Sequence, residues 1–185
     1  MKLRYNSPFI LTFSLICFVI LFISQFTQNK LILHYFTAYP NMSFSEPLTW
    51  LRIFSHAMGH KDWTHFIGNF TFILLIGPVL EEKYGSKRLF FMSLIAAGVT
   101  GILNTLLFSQ GLLGSSGIVF MFIVLMSFTN FKSGDIPLTF ICIILIFLTR
   151  EVFDSFQQDS ISQFAHIVGG ICGTVFGFQG TKSRR

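Results

Sequence analysis

Two serines stand between two glycines in "LLGSSGIVF", residues 112–120, at the head of an apolar run. Within it, G-x-S-G marks Ser116 as a candidate nucleophile. Gly114 and Gly117 carry no side chain, so a substrate backbone can approach closely. A helix starting here offers unpaired backbone N–H groups and a positive dipole end, both favourable to a developing oxyanion. Ser115 is the alternative nucleophile, and the plain structural reading of Ser116 is a helix N-cap. A serine hydroxyl needs an adjacent base to attack a carbonyl, and neutral imidazole is the usual one. His166, in "AHIVGGICG", is the candidate. Alone it reads as a packing residue. The G-x-x-x-G formed by Gly169 and Gly173 permits close helix approach, which can bring that histidine to a serine on a neighbouring helix.

His65 and Asn69 fall at i and i+4, on one helical face, and both can donate hydrogen bonds to an oxyanion. An interhelical polar clamp is their structural reading. His56 and His60 form a further i, i+4 pair if that stretch is helical. With His65 they raise zinc as an option, but no carboxylate or cysteine completes a site and H-E-x-x-H is absent. Bracing of a loop by hydrogen bonds is the other role open to them. Glu81, Glu82 and Lys83 precede Gly85 and read as a solvated helix end. Asp154 and Asp159 precede His166 and could orient it as a third triad member, a minor option given their loop position.

The elements that must position these groups are membrane spans. The chain has 185 residues, 52% hydrophobic and 11% charged, against about 25% charged in a soluble domain. A spanning helix needs about 20 apolar residues. Six segments qualify, at about 8–26, 64–80, 87–109, 115–131, 136–153 and 161–179. The fifth is the weakest, its apolar run ending at Arg150 and Glu151. The first lacks a signal-peptide cleavage pattern and is read as retained. Six spans put both ends on one side, with Lys2, Arg4, Lys83, Lys87, Arg88, Lys132, Lys182, Arg184 and Arg185. The opposite side carries Lys30, Arg52, Lys61 and Arg150. This asymmetry makes both termini cytoplasmic.

The expected architecture is therefore an all-α membrane protein, a six-helix bundle forming a single domain over 1–185. Its outer loop, about 27–63, is broken by Pro40, Asn41 and Pro47. In that topology Ser116, His166, His65 and Asn69 come to one outer depth. The basic residues lie at segment ends rather than on a stripe with aromatics, which excludes nucleic acid as a partner. Cys17, Cys142 and Cys172 lie in apolar runs with no metal-ligand spacing.

These residues, in this order, resemble the rhomboid intramembrane serine proteases in their minimal six-span bacterial form. "RIFSHAMGHKDWTHFIGN" is similar to the family's entry to the second span, with His65 and Asn69 at the oxyanion positions. "GPVLEEKYGS" is similar to the turn closing that span, with Glu81 at the family's glutamate. "GSSG" makes Ser116 the nucleophile, and "AHIVGGICG" makes His166 the base, with Gly169 and Gly173 as packing positions. Two departures stand out. Phe120 occupies a position that is often Tyr, packed on the catalytic histidine. The loop's Trp-Arg pair is spread into "WLR", Trp50 to Arg52.

The resemblance implies a Ser–His dyad with no cofactor and no metal. It implies substrates that are single-span membrane proteins cut near the outer face, and a bacterial inner membrane location. Two rivals stand beside it. One is a catalytically inactive rhomboid-like protein that binds membrane clients. The other is a metal-binding transporter or sensor using His56, His60 and His65.

Overall fold

The computed structural model describes residues 5–128, 138–139, 141–142, 145–146 and 160–182. The helices are α1 (Pro8–Phe26), α2 (Lys30–Tyr35), α3 (Pro47–Ser55), α4 (Trp63–Tyr84), α5 (Ser86–Leu107), α6 (Ser116–Ser127) and α7 (Ser160–Lys182), with a 3-10 turn at His56–Met58. Among the described residues, α1, α4 and α5 are long and apolar enough to cross a membrane. They agree with the expected first three spans to within a few residues. The expected fifth span, 136–153, falls largely outside the described residues, as do Asp154 and Asp159.

The helices turn apolar side chains both inward and outward. Ile10, Cys17, Ile73, Leu80, Leu89, Met121 and Leu125 are fully buried where α1, α4, α5 and α6 meet. Leu15, Phe22, Leu75 and Leu107 are exposed. Outward apolar faces on several helices are those of a protein solvated by lipid. This is an integral membrane protein.

Glu81 is buried rather than solvated, a correction to its reading as a wet helix end. It sits in the last turn of α4, and its two carboxylate oxygens accept from the backbone N–H groups of Phe9 and Ile10, at 2.8 and 3.0 Å. Ser7, the cap residue of α1, makes no side-chain cap bond, and Pro8 supplies no N–H. Glu81 therefore satisfies the first donors of α1 from another helix and sets a negative charge on its positive dipole end. This contact staples the two spans together.

α6 is shorter than expected, ending at Ser127 rather than near 131. The Lys83 ammonium from α4 donates to the Phe128 carbonyl just past that end, a cation placed at a helix C-terminus.

The connection between α1 and α4 holds α2, α3 and the 3-10 turn, and it is tied down by polar bonds. The backbones of Ala38 and Leu112 pair in both directions, at 2.9 and 2.8 Å. The Asn104 amide donates to the carbonyls of Ala38 and Gln110. Arg52 Nε donates to the His34 carbonyl at 2.8 Å, and the guanidinium lies over the Tyr39 ring. The loop arginine of "WLR" thus ties α3 to α2, while Trp50 Nε1 donates to the Phe44 carbonyl.

Candidate active site

Ser116 is the first residue of α6, and Ser115 takes the cap position. The N-cap reading therefore belongs one residue earlier than expected, and even there the hydroxyl makes no cap bond. Ser115 is fully buried, and its Oγ lies 3.2 Å from His60 Nε2. Ser116 is only partly buried. The two adjacent serines thus differ in kind: one is packed and bonded inside the protein, the other is accessible.

Twelve residues make α6 about 18 Å long. Its C-terminal end meets Lys83, in the charged turn that also carries Lys87 and Arg88. Ser116 stands at the opposite end of the helix.

Gly114 adopts φ +117°, where an L side chain is strained. Space excludes a side chain there too. A Cβ at Gly114 would sit 2.6 Å from His65 Cε1 and 2.7 Å from His65 Nε2, with Asn69 Nδ2 at 3.8 Å. The loop before Ser116 is therefore pressed against the imidazole and amide that α4 presents near its N-terminal end. His65 is itself fixed, because Asp62 caps α4 by accepting from the His65 N–H at 2.7 Å. Asn69 is buried, and its Nδ2 has no hydrogen-bond partner among the described residues. A buried donor left unpaired is costly, on the order of 1–3 kcal/mol. Such a donor is chemically able to hydrogen-bond an anion beside it.

α7 closes the other side. A Cβ on Gly169 would lie 2.0 Å from the Gly117 carbonyl oxygen, so only glycine lets the two backbones touch. Gly173 meets the Met121 carbonyl in the same way, one turn further on. The seam also sets the Ala165 carbonyl against Gly117. His166, buried, follows Ala165 and stacks on Phe120 with ring centroids 4.1 Å apart and planes 29° apart. Positions 116 and 120 share a helical face. The seam therefore brings His166 onto the face of α6 that carries Ser116. The phenyl ring in place of Tyr keeps the stack.

His56 and His60 are not an i, i+4 pair on one helix. The 3-10 turn ends at Met58, and Gly59 is extended, so the two rings take separate roles. His56 Nε2 bonds the Ala97 carbonyl at 3.1 Å, and its own carbonyl accepts from Gly114 N at 2.9 Å. His60 reaches Ser115 and lies edge-on to His65, with centroids 5.1 Å apart. Burial pushes His56 down from 6.5 to about 4. Burial first and the neighbouring His65 second push His60 down from 6.5 to about 3. Both are neutral braces at physiological pH. Among the described residues no group of histidine, cysteine and carboxylate side chains forms a metal site.

A cavity of about 10 Å³ lies beside Gly117, walled by His56, Ala57, Ala97, Thr100 and Ala165. One feature here carried no clear sequence signal: the His60–Ser115 bond, which joins residues 55 apart. The stack of His166 on Phe120 is the packing the resemblance implied at that position.

Residues 47–183 match the family model of the rhomboid domain. The chain belongs to the rhomboid family. It is 23% identical over 170 residues to the rhomboid protease GlpG of Haemophilus influenzae, covering 90% of this chain and 88% of that protein. It is 26% identical over 182 residues to the rhomboid protease GlpG of Serratia proteamaculans, covering 96% of this chain and 64% of that protein. Against the rhomboid protease GlpG of Yersinia pestis (strain Pestoides F) it is 23% identical, covering 95% of this chain and 64% of that protein. The chain thus spans under two thirds of the latter two relatives. Its enzyme class is that of the family, a rhomboid-type serine endopeptidase.

Proposed function

We propose that this rhomboid cleaves transmembrane segments of membrane proteins by a Ser116–His166 dyad. The observation that carries the proposal is the backbone contact of Gly117 with Gly169, which sets His166 over the Ser116 face of α6. In the reaction, Ser116 Oγ attacks the scissile carbonyl carbon and its proton passes to the His166 imidazole. The tetrahedral oxyanion is held by His65, Asn69 and the Ser116 backbone N–H. Collapse expels the amine, which takes the proton from His166, and leaves an acyl-enzyme on Ser116. A water then attacks the ester carbonyl, His166 takes its proton, and return of that proton to Ser116 frees the acid.

The domain comprises six spans with both termini in the cytoplasm and the site towards the outer face. The membrane is the bacterial inner membrane, in keeping with the bacterial relatives. Substrates are single-span proteins whose helix unwinds near the outer boundary, since helical backbone is internally bonded and closed to a nucleophile. No metal or cofactor takes part. Gly114 and Gly117 leave room for the substrate backbone, and Glu81 supports the site at a distance through α1 and α4.

The test is a fluorophosphonate serine probe on micelle-solubilised protein, with the adduct mapped by mass spectrometry. Wild type, Ser115→Ala, Ser116→Ala and His166→Ala are compared. The expected adduct is on Ser116 and vanishes with His166→Ala. An adduct on Ser115 moves the nucleophile. No adduct, beside a labelled active relative, favours an inactive client-binding protein.

A further inference from the structure

A second site lies on the face of the bundle formed by α1 and α5. An open groove of about 560 Å³ runs between α1 and α5, walled by Phe9, Phe13, Ile16, Phe90, Leu94 and Ala97. Ile16, Phe54 and Phe90 on its walls are about two-fifths exposed, so the groove faces the lipid phase. Its walls are almost wholly apolar, with one cation, Lys87, at one end. No hydrogen bond or ion pair occupies that ammonium among the described residues. Lys87 stands at the start of α5, the end of the α4–α5 hairpin away from His65 and the candidate site.

Three features specify the occupant. From Lys87 to Ala97 the groove runs about 15 Å along α5, the depth of one leaflet of a hydrocarbon core about 30 Å thick. The cation stands at the boundary where lipid phosphates lie. Between them, Ser93 lines the groove, 4% exposed, and its Oγ is buried with no hydrogen-bond partner among the described residues. A serine in a span ordinarily bonds a carbonyl of its own helix, as Thr100 and Thr105 do here. Ser93 instead holds an unused donor about 9 Å deeper than Lys87, suited to an ester carbonyl below a headgroup.

We propose that the α1–α5 groove binds one anionic phospholipid from the leaflet opposite the candidate site. Its phosphate pairs with Lys87, an ester carbonyl accepts from Ser93 Oγ, and an acyl chain lies along Phe9, Phe13 and Ile16. Where the chain ends, Ala57, Ala97 and Ile118 also wall the small cavity beside Gly117. The lipid therefore backs directly onto the wall behind α6. This proposal stands whether or not Ser116 is the nucleophile.

The experiment uses the whole protein in phosphatidylcholine nanodiscs doped with phosphatidylglycerol carrying a diazirine in its acyl chain. Adducts are mapped by mass spectrometry after photolysis. A phosphatidylcholine probe of the same tail forms the second arm. Lys87→Glu and the groove-filling Thr12→Trp, both at exposed positions, form the third and fourth. We expect phosphatidylglycerol adducts on the groove faces of α1 and α5, in excess over Leu74 and Leu75 on the lipid face of α4. That excess should fall about fivefold in Lys87→Glu, the scale of one lysine–anionic lipid pairing, and likewise in Thr12→Trp. Even labelling of groove and α4 face means ordinary boundary lipid and overturns the proposal. Equal labelling by the two probes, or labelling undiminished in Lys87→Glu, also overturns it. So does a crosslink from the groove to a second copy of the chain.

Discussion

The two walls of the candidate site are built in opposite ways. On the α4 side, polar groups do the fixing: Asp62 caps the helix, His60 holds Ser115, His56 holds Gly114, and Asn104 ties the loop to α5. On the α7 side no polar network is needed, because glycine lets backbone lie on backbone at Gly117 and Gly169. The difference is one of tolerance. A hydrogen-bonded wall can lose one bond and keep its shape, because its neighbours still hold it. A wall with no space between backbones cannot accept a methyl group.

Apart from loss of the nucleophile itself, the largest expected effect probes a donor that the polar wall leaves unspent, the Asn69 amide. Asn69→Ala should lower kcat by about 10²–10³, about 2.7–4 kcal/mol of transition-state stabilisation, as loss of one oxyanion donor does elsewhere. Its thermal midpoint should hold or rise, because an unpaired buried amide is removed. A fall in stability with activity intact would make Asn69 an interhelical clamp instead.

The close-packed wall comes next. Gly169→Ala places a methyl where the Gly117 oxygen lies, at 2.0 Å. One helix must move, at a cost of about 3 kcal/mol in stability. Activity should fall further than that loss explains, because His166 moves with α7. Unchanged fluorophosphonate labelling in Gly169→Ala would show that the seam does not position the dyad.

Much of this was legible beforehand, for reasons that sort by distance along the chain. The spans of α1, α4 and α5 announce themselves by apolar length. His65 and Asn69 share a face by simple periodicity, and G-x-x-x-G forecasts a close helix contact. What could not be read is what depends on partners far away in sequence. Glu81 looks solvated in "LEEKYG" because nothing local shows that α1 will bring two bare N–H groups to it. His56 and His60 suggest a helical pair because spacing alone does not show a 3-10 turn ending at Met58. The length of α6 was overestimated because Phe128 is as apolar as what precedes it. Its end at Ser127 is met by Lys83 arriving from α4, a partner far away in sequence.

A pH series tests the polar wall as a whole. Burial holds His56 near 4 and His60 near 3, against 6.5 when exposed. Below pH 6.5 the unfolded chain binds protons that the folded one refuses, so stability is full above that value and falls as the pH drops towards 4. From pH 7 to 5 the loss is roughly 2 kcal/mol for each histidine. The thermal midpoint in micelles should drop over that interval, and His60→Gln should reduce the slope by about half. A flat profile would mean that water already reaches these rings.

The smallest effect separates the two neighbouring serines. Ser115→Ala removes a hydroxyl bonded to His60 and leaves Nε2 of that ring unpaired, a cost of about 1 kcal/mol. The backbone of the loop is held independently, by the Gly114 N–H on the His56 carbonyl and by the packing of Gly114 on His65. Peptide cleavage and fluorophosphonate labelling of Ser116 should therefore persist within about threefold, the scale on which 0.5–1 kcal/mol acts. Ser116→Ala, one residue away and with no side-chain hydrogen bond among the described residues, should leave stability unchanged and abolish both signals. If the two substitutions exchanged these outcomes, the buried serine would be the reactive one. His60 would then act as a base rather than a brace, despite a burial that makes it a poor proton acceptor.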